Sequence, residues 1–385
     1  MSGPAVATLP EPSWDRLASV AELLSADAAD HDERAVFPAA GIDTAWRNGL
    51  LTATVGTQHG GAGAGVAATV DILEHLGYGD PSVALISAMT LFTHAAQAED
   101  PTWPAEYYQQ LLRDSAERPT LVNALRVEPD LGTPARGGVP ATTARRTADG
   151  WALSGHKIFS TGAIGLDWMV VWARTDEDPV RVGAFLVRGA SPGIEIRPTW
   201  DHLGLRASRS DDVLFTDVPV PLDATVGLGP VGTREPVRGA WNSLGLAALY
   251  LGVARAARDW LVGFLHERVP SSLGKSLATL PRMQSEVGEI DAALLTSRDL
   301  VTGLAVRADA GDETAVAHAP MAKLVATRAA IAAVERAVAL VGNNGLTRNA
   351  PLQRHLRDVL CSRVHTPQDD AILAATGKSA LFPER

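Results

Sequence analysis

The stretch richest in chemistry is Gly150 to Leu166, read GWALSGHKIFSTGAIGL. Its Ser160-Thr161-Gly162 sets two hydroxyls beside a residue with no side chain, where backbone can approach a ligand closely. Elsewhere, His94 and His365 carry side chains that exchange a proton near neutral pH. Each of these residues also has a structural reading. His94 stands in an otherwise apolar helical pattern, the setting of a satisfied core histidine. His365 precedes Thr366-Pro367 and suits a turn, and Ser160 suits a cap or a tight turn. His59, His202 and His355 have no metal-like spacing, and Cys361 is the only cysteine, so neither an intrachain disulfide nor a Cys-rich metal site is possible. No metal is expected. HGGAGAG at 59–65 follows no strand, which excludes a dinucleotide fingerprint.

Composition bounds the partners. The 385 residues are 46% hydrophobic and 20% charged, and 34 Lys and Arg against 44 Asp and Glu leave a formal charge of -10. That balance argues against nucleic acid or an anionic membrane as the main partner, while leaving room for a local basic pocket. The first residues, MSGPAVATLPEPSW, lack the basic and apolar segments of a secretory signal. The most apolar helical stretch, Leu244 to Phe264, is broken by Arg255, Arg258 and Asp259, too early to span a membrane. The expectation is a soluble, cytoplasmic protein.

Periodicity then supplies the elements that must hold these residues. Trp14 to Ala29 carries Leu17, Val20, Leu24 and Ala28 at helical spacing, Asp43 to Leu51 reads as a short helix, and further helices follow over Val66 to Leu76 and from Pro81. From about Leu121 to Val226, Val, Thr and Gly dominate, with turn signals every eight to twelve residues. Strands are expected at Thr120–Leu125, Ala141–Arg146, Trp151–Ser154, Trp168–Arg174, Arg181–Val187, Ile194–Arg197 and Asp212–Phe215, with Gly155 turning the chain into a further run at His156. After Val237 three long helices return, the third opening after Pro320 and closing at Gly342. The reading is an α+β chain: a helical domain over 1–119, a β-sandwich or barrel over 120–226 and a helical bundle over 227–385.

Five motifs in this order resemble the acyl-CoA dehydrogenase superfamily. They are HGGAGAG at 59–65, VEPDLGT at 127–133, the opening stretch, HLGLRASRSDDVLFTDVPVP at 202–221, and LVGNNGL with RHLRDVL at 340–346 and 354–360. The resemblance implies that fold, with a C-terminal four-helix bundle, a bound flavin and a homodimer or homotetramer that completes its sites across subunits. It sets Phe159 as the ring-packing residue, with Ser160, Thr161, Leu125 and Val127 along the polar edge and Thr133 toward the phosphates. Arg268, Gln284, Gly342, Gly345 and Gln368 fall on the positions that meet the rest of the cofactor. Arg268 is followed by Val-Pro-Ser-Ser-Leu-Gly rather than the family's Phe-Gly spacing, so FMN stands as the alternative to FAD.

One departure redirects the function. α,β-Dehydrogenation of a thioester needs a carboxylate base. Aligned on Arg357-Asp358, the family's Glu falls on Thr366, and the alternative base position falls on Asn242. The pattern is more similar to the flavin-dependent monooxygenase branch, related to dibenzothiophene monooxygenase and the N-oxygenating sugar enzymes. That branch implies reduced FAD or FMN from a separate NAD(P)H-flavin reductase, O2 adding at C4a, and oxygen transfer to a small aromatic, heteroaromatic or amine substrate. His365, His94 and Ser160 are its matching catalytic candidates. An acyl-CoA dehydrogenase with a non-standard base, and a non-catalytic flavin- or acyl-binding scaffold, remain as alternatives.

Overall fold

The computed structural model describes residues 8–131, 138–232 and 239–382. Five helices come first: α1 (Leu17–Arg34), α2 (Ala39–Arg47), α3 (Val66–Gly79), α4 (Pro81–Glu99) and α5 (Ala105–Glu117). α1 buries the expected stripe of Leu17, Val20, Leu24 and Ala28. α2 lies four residues earlier than its sequence expectation. Gly49 adopts φ +69 with Glu11 backbone packed against it, and Leu50 and Leu51 are both buried, so the amphipathic pattern stops before them. α4 is fixed at its start by Asp80, whose carboxylate accepts from the backbone N–H of Ser82 at 2.8 Å, with Pro81 at the first position. α5 was not read from the sequence.

Eight strands follow: β1 (Leu121–Leu125), β2 (Thr143–Arg146), β3 (Gly150–Lys157), β4 (Leu166–Thr175), β5 (Arg181–Arg188), β6 (Ile194–Arg197), β7 (Asp212–Pro221) and β8 (Thr225–Pro230). They form one hydrogen-bonded sheet in the order β6-β7-β3-β2-β4-β5-β8, with β1 added in parallel to β4. β8 was not anticipated. The expected turn at Gly155 does not occur. β3 runs through it with a register shift against β7, and a Cβ on Gly155 would meet Thr142 Oγ1 at 2.3 Å. That glycine makes room for a neighbour rather than for a turn.

The C-terminal helices are α6 (Gly239–Glu267), α7 (Pro281–Asp309), α8 (Glu313–Val341), the short α9 (Asn343–Leu346), α10 (Pro351–Leu360) and α11 (Asp369–Leu381). α8 opens seven residues before Pro320. Asp312 caps it, accepting from Thr314 and Ala315, and the buried Ala315, Ala319 and Ala322 offset the proline's cost of about 3 kcal/mol. Gly342 closes it, as expected. One apolar core runs continuously through helices and sheet. Among the described residues no helix is long and apolar enough to cross a membrane.

Candidate functional site

The Gly150–Leu166 stretch is held by a buried ion pair that sequence reasoning passed over. Lys157, fully buried, donates through Nζ to Glu128 Oε1 and to the Trp172 carbonyl, both at 2.6 Å. Glu128 also accepts from the Ala141 N–H at 2.6 Å, the Thr142 N–H at 3.1 Å and Thr142 Oγ1 at 2.6 Å. Burial alone would raise the Glu128 pKa, but the hydrogen bonds from Lys157 and Thr142 bring it below the ordinary carboxylate value. The signal was present in the sequence as the charged members of two separate motifs. What it lacked was the topology that makes them meet.

Beside this pair the Ile158 N–H donates to the Val127 carbonyl at 3.0 Å, and Leu125 ends β1 fully enclosed. The next residue, Phe159, is held at φ 56, a conformation costing roughly 1 kcal/mol outside glycine, with its ring 53% exposed. It meets Trp200 and His202 edge-on at 6.3 and 5.9 Å, and those two rings stack at 3.6 Å. Ser160 is 1% exposed and its Oγ has no hydrogen-bond partner. Thr161 Oγ1 accepts from Ser210 Oγ at 3.1 Å, its carbonyl accepts from Asn123 Nδ2, and the Gly162 N–H donates to the Ser208 carbonyl at 2.8 Å. An exposed aromatic shelf thus adjoins an orphaned buried hydroxyl. That is the pairing of apolar face and polar edge an isoalloxazine ring requires, and the residues present fit it.

α4 joins this place to the helical bundle. Its incompletely buried residues Met89, Phe92, Thr93 and Ala96 form one stripe, and Phe92 packs where a side chain on Gly245 of α6 would clash at 2.8 Å. The two positions expected for a family base meet each other here: Asn242 Nδ2 donates to the Thr366 carbonyl at 2.5 Å. His365 lies at this locus, its Nδ1 2.8 Å from Tyr250 Oη. Enclosure, reinforced by the charge of Lys323, pushes the His365 pKa down to about 4. Lys323 is itself fully buried and donates to the carbonyls of His365 at 2.8 Å, Pro367 at 2.9 Å and Ser362 at 3.4 Å. The preceding α6 residue, Trp241, donates through Nε1 to Glu99 Oε1 at 2.5 Å. Both line a cleft of about 250 Å³ against Gly63–Val66 of the glycine loop, where Asp309 caps α3.

The other sequence candidates fall elsewhere. His94 is fully buried, its Nδ1 3.1 Å from Tyr108 Oη and its Nε2 without a partner. Burial, then His59, pushes its pKa to about 3. No hydrogen bond or ring contact joins it to Ser160 or His365. Arg268 and Gln284 are exposed, the latter donating to the Ala278 carbonyl at 3.1 Å. Gly342 lies between α8 and α9, Gly345 lies within α9, and Gln368 precedes α11. Thr133 lies outside the described residues.

Comparison with known proteins follows the same three-part division. Residues 18–98, 126–218 and 244–369 match the families described as acyl-CoA dehydrogenase N-terminal, middle and C-terminal domains. Among relatives, YdbM of Bacillus subtilis, whose acyl-CoA dehydrogenase role is itself a provisional assignment, is 32% identical over 93% of this chain and 94% of its own. An L-evernosamine nitrososynthase of Micromonospora is also 32% identical, over 90% of this chain and 84% of its own. Among solved structures, KijD3 in complex with FMN and dTDP-3-amino-2,3,6-trideoxy-4-keto-3-methyl-D-glucose aligns with TM-score 0.83 and 28% identity, over 99% of this chain and 98% of its own. Butyryl-CoA dehydrogenase of Megasphaera elsdenii aligns with TM-score 0.84 and 25% identity, over 96% and 97%. TdsC of Paenibacillus, at 22% identity and TM-score 0.84 over 95% and 96%, shares the fold.

Proposed function

The chain belongs to the acyl-CoA dehydrogenase family, and from that premise we propose that it is a flavin-dependent monooxygenase rather than a dehydrogenase. One observation carries the reading. The locus where the family's base would act is made by an amide and a backbone carbonyl, Asn242 and Thr366, bonded to each other at 2.5 Å. Neither position holds a carboxylate, so the acceptor the family uses for an α-proton is not found at either.

Reduced flavin, when bound, supplies the electrons that activate O2. FAD is our first choice and FMN the second, and a separate NAD(P)H-flavin reductase delivers the reduced form. The remaining work belongs to this chain. Phe159 with Trp200 and His202 gives the ring a face, and the Ser160 hydroxyl, otherwise unpartnered, donates to its polar edge. His365 offers a second polar group from the bundle side. It stays neutral down to about pH 4, so it orients and donates rather than titrating. The 32%-identical nitrososynthase and the amino sugar held by KijD3 favour an amine among the candidate substrates. A homo-oligomer completing the site from Arg268 and Gln284 of a second copy, and a cytoplasmic setting, belong to the same proposal.

The dehydrogenase reading keeps one support of its own, the sequence likeness to acyl-CoA dehydrogenases. A single pair of experiments separates the two. Protein with reductase-supplied reduced flavin, an amine panel and 18O2 should yield product carrying one 18O atom, while acyl-CoA added anaerobically should leave oxidised flavin unbleached. Bleaching by acyl-CoA with no 18O in any product would overturn the proposal. Failure to bind any flavin would leave the scaffold alternative.

A further inference from the structure

His365 is gripped from two sides by groups the proposed chemistry does not use. On one side, Lys323 of α8 holds the backbone on either side of Thr366 through the carbonyls of His365 and Pro367. On the other, Tyr250 of α6 is fully buried, and its only hydrogen-bond partner among the described residues is His365 Nδ1 at 2.8 Å. A buried phenol keeps its proton and needs an acceptor for it. Burial, with Cys361 and Asp358 nearby, holds the Tyr250 proton on well above the ordinary range. With no other acceptor in reach, the O–H must donate to Nδ1, so Nδ1 carries no hydrogen of its own. A neutral imidazole with a bare Nδ1 carries its proton on Nε2.

We propose that Tyr250 is a positioning residue that fixes the tautomer and angle of His365, so that His365 presents Nε2–H to the site as a hydrogen-bond donor and not as a base. The groups facing it agree. Lys323 from α8 is cationic and disfavours an imidazolium, Asn242 from α6 binds the neighbouring Thr366 carbonyl, and no carboxylate forms an ion pair with the ring. This deepens the monooxygenase reading, on which the role of the donor rests, and it removes His365 as a substitute for the missing dehydrogenase base.

The test is 15N NMR on histidine-labelled full-length protein near pH 7, with the His365 signals assigned by their loss in His365→Gln. The expected result is an unprotonated Nδ1 and a protonated Nε2. A protonated Nδ1 would overturn the proposal. Tyr250→Phe keeps the ring volume. It should leave the protein folded, with flavin affinity near wild type, move both nitrogen signals toward averaged values, let His365 protonate at a higher pH, and lower product formed per flavin oxidised by about fivefold to tenfold. That range corresponds to one net hydrogen bond. Unchanged nitrogen signals and unchanged product yield in Tyr250→Phe would equally overturn it. Should that variant not fold, the wild-type spectrum decides alone. Absence of 18O in product from the wild type would count against the monooxygenase reading, while the tautomer measurement still judges this one.

Discussion

Replacing Ser160 by alanine should separate stability from function in a direction few active-site substitutions do. The hydroxyl is 1% exposed and unpartnered, so the protein without ligand bears the cost of dehydrating it. From mutational data that cost is about 1–3 kcal/mol, and Ser160→Ala removes it at the expense of a small void. A net gain of about 1 kcal/mol is expected in the flavin-free protein. At 385 residues, with ~2.1 cal/mol/K per residue of unfolding entropy, that is a rise in Tm of only ~1 °C, so denaturant unfolding is the better assay. With saturating reduced flavin under anaerobic conditions the difference should close to about zero. Wild type gains stability by mass action, and losing one hydrogen bond to the ring edge weakens binding about fivefold, or ~1 kcal/mol. The measurement is the midpoint of unfolding for both proteins, with and without reduced flavin, alongside a flavin titration. If flavin-free Ser160→Ala is less stable by more than about 1 kcal/mol, the hydroxyl has a structural partner and the reasoning fails. If both proteins bind flavin equally, Ser160 does not face the ring.

Three further outcomes follow from the same geometry. Glu128→Gln leaves Lys157 buried with one neutral partner, so it should cost about 3–5 kcal/mol by denaturant unfolding, and a cycle with Lys157→Met should show coupling of roughly 2 kcal/mol. Because Glu128 titrates below its unfolded value, the wild-type contribution is present above the unfolded pKa and lost as pH falls through the folded one; the variant should lack that acid limb. Asp358 is an acid whose pKa burial pushes up to about 7, so its folded form keeps a proton the unfolded chain releases, and stability should fall as pH rises from about 4 to about 7. Asp358→Asn, which retains an acceptor for the Leu205 N–H, should flatten that slope in a series of unfolding curves. Finally, Glu99 reaches Trp241, the neighbour of Asn242, and is the carboxylate to test as a dehydrogenase base. Neither wild type nor Glu99→Gln should bleach oxidised flavin with acyl-CoA; bleaching by wild type that Glu99→Gln abolishes would make Glu99 a base and the protein a dehydrogenase.

The unequal legibility of this chain has a physical pattern. Features set by local rules were readable: the Leu17–Ala28 stripe, the Pro81 start of α4, the Gly342 cap and the change from helical to strand periodicity near Leu121 all depend on neighbours in sequence. Features set by close approach were not. Gly155 looks identical to a turn glycine until Thr142 is known to press on it, and Pro320 looks like a helix start until Asp312 is known to cap the helix earlier. The site divides the same way. Phe159, Ser160 and Thr161 are contiguous, so a motif finds them together, whereas the Lys157–Glu128 pair, the Tyr250–His365 contact and the grip of Lys323 span 29, 115 and about 40 residues. His94 shows what residue type alone leaves open. A helix turns about 100° per residue, so whether an imidazole faces a site or a core depends on two positions: Phe92 lies on the side toward α6 and His94 lies against Tyr108. That neither expected base position holds a carboxylate was legible in the sequence, at Asn242 and Thr366. That Asn242 and Thr366 are one place, closed by their own hydrogen bond, is what turns that absence into an argument about mechanism.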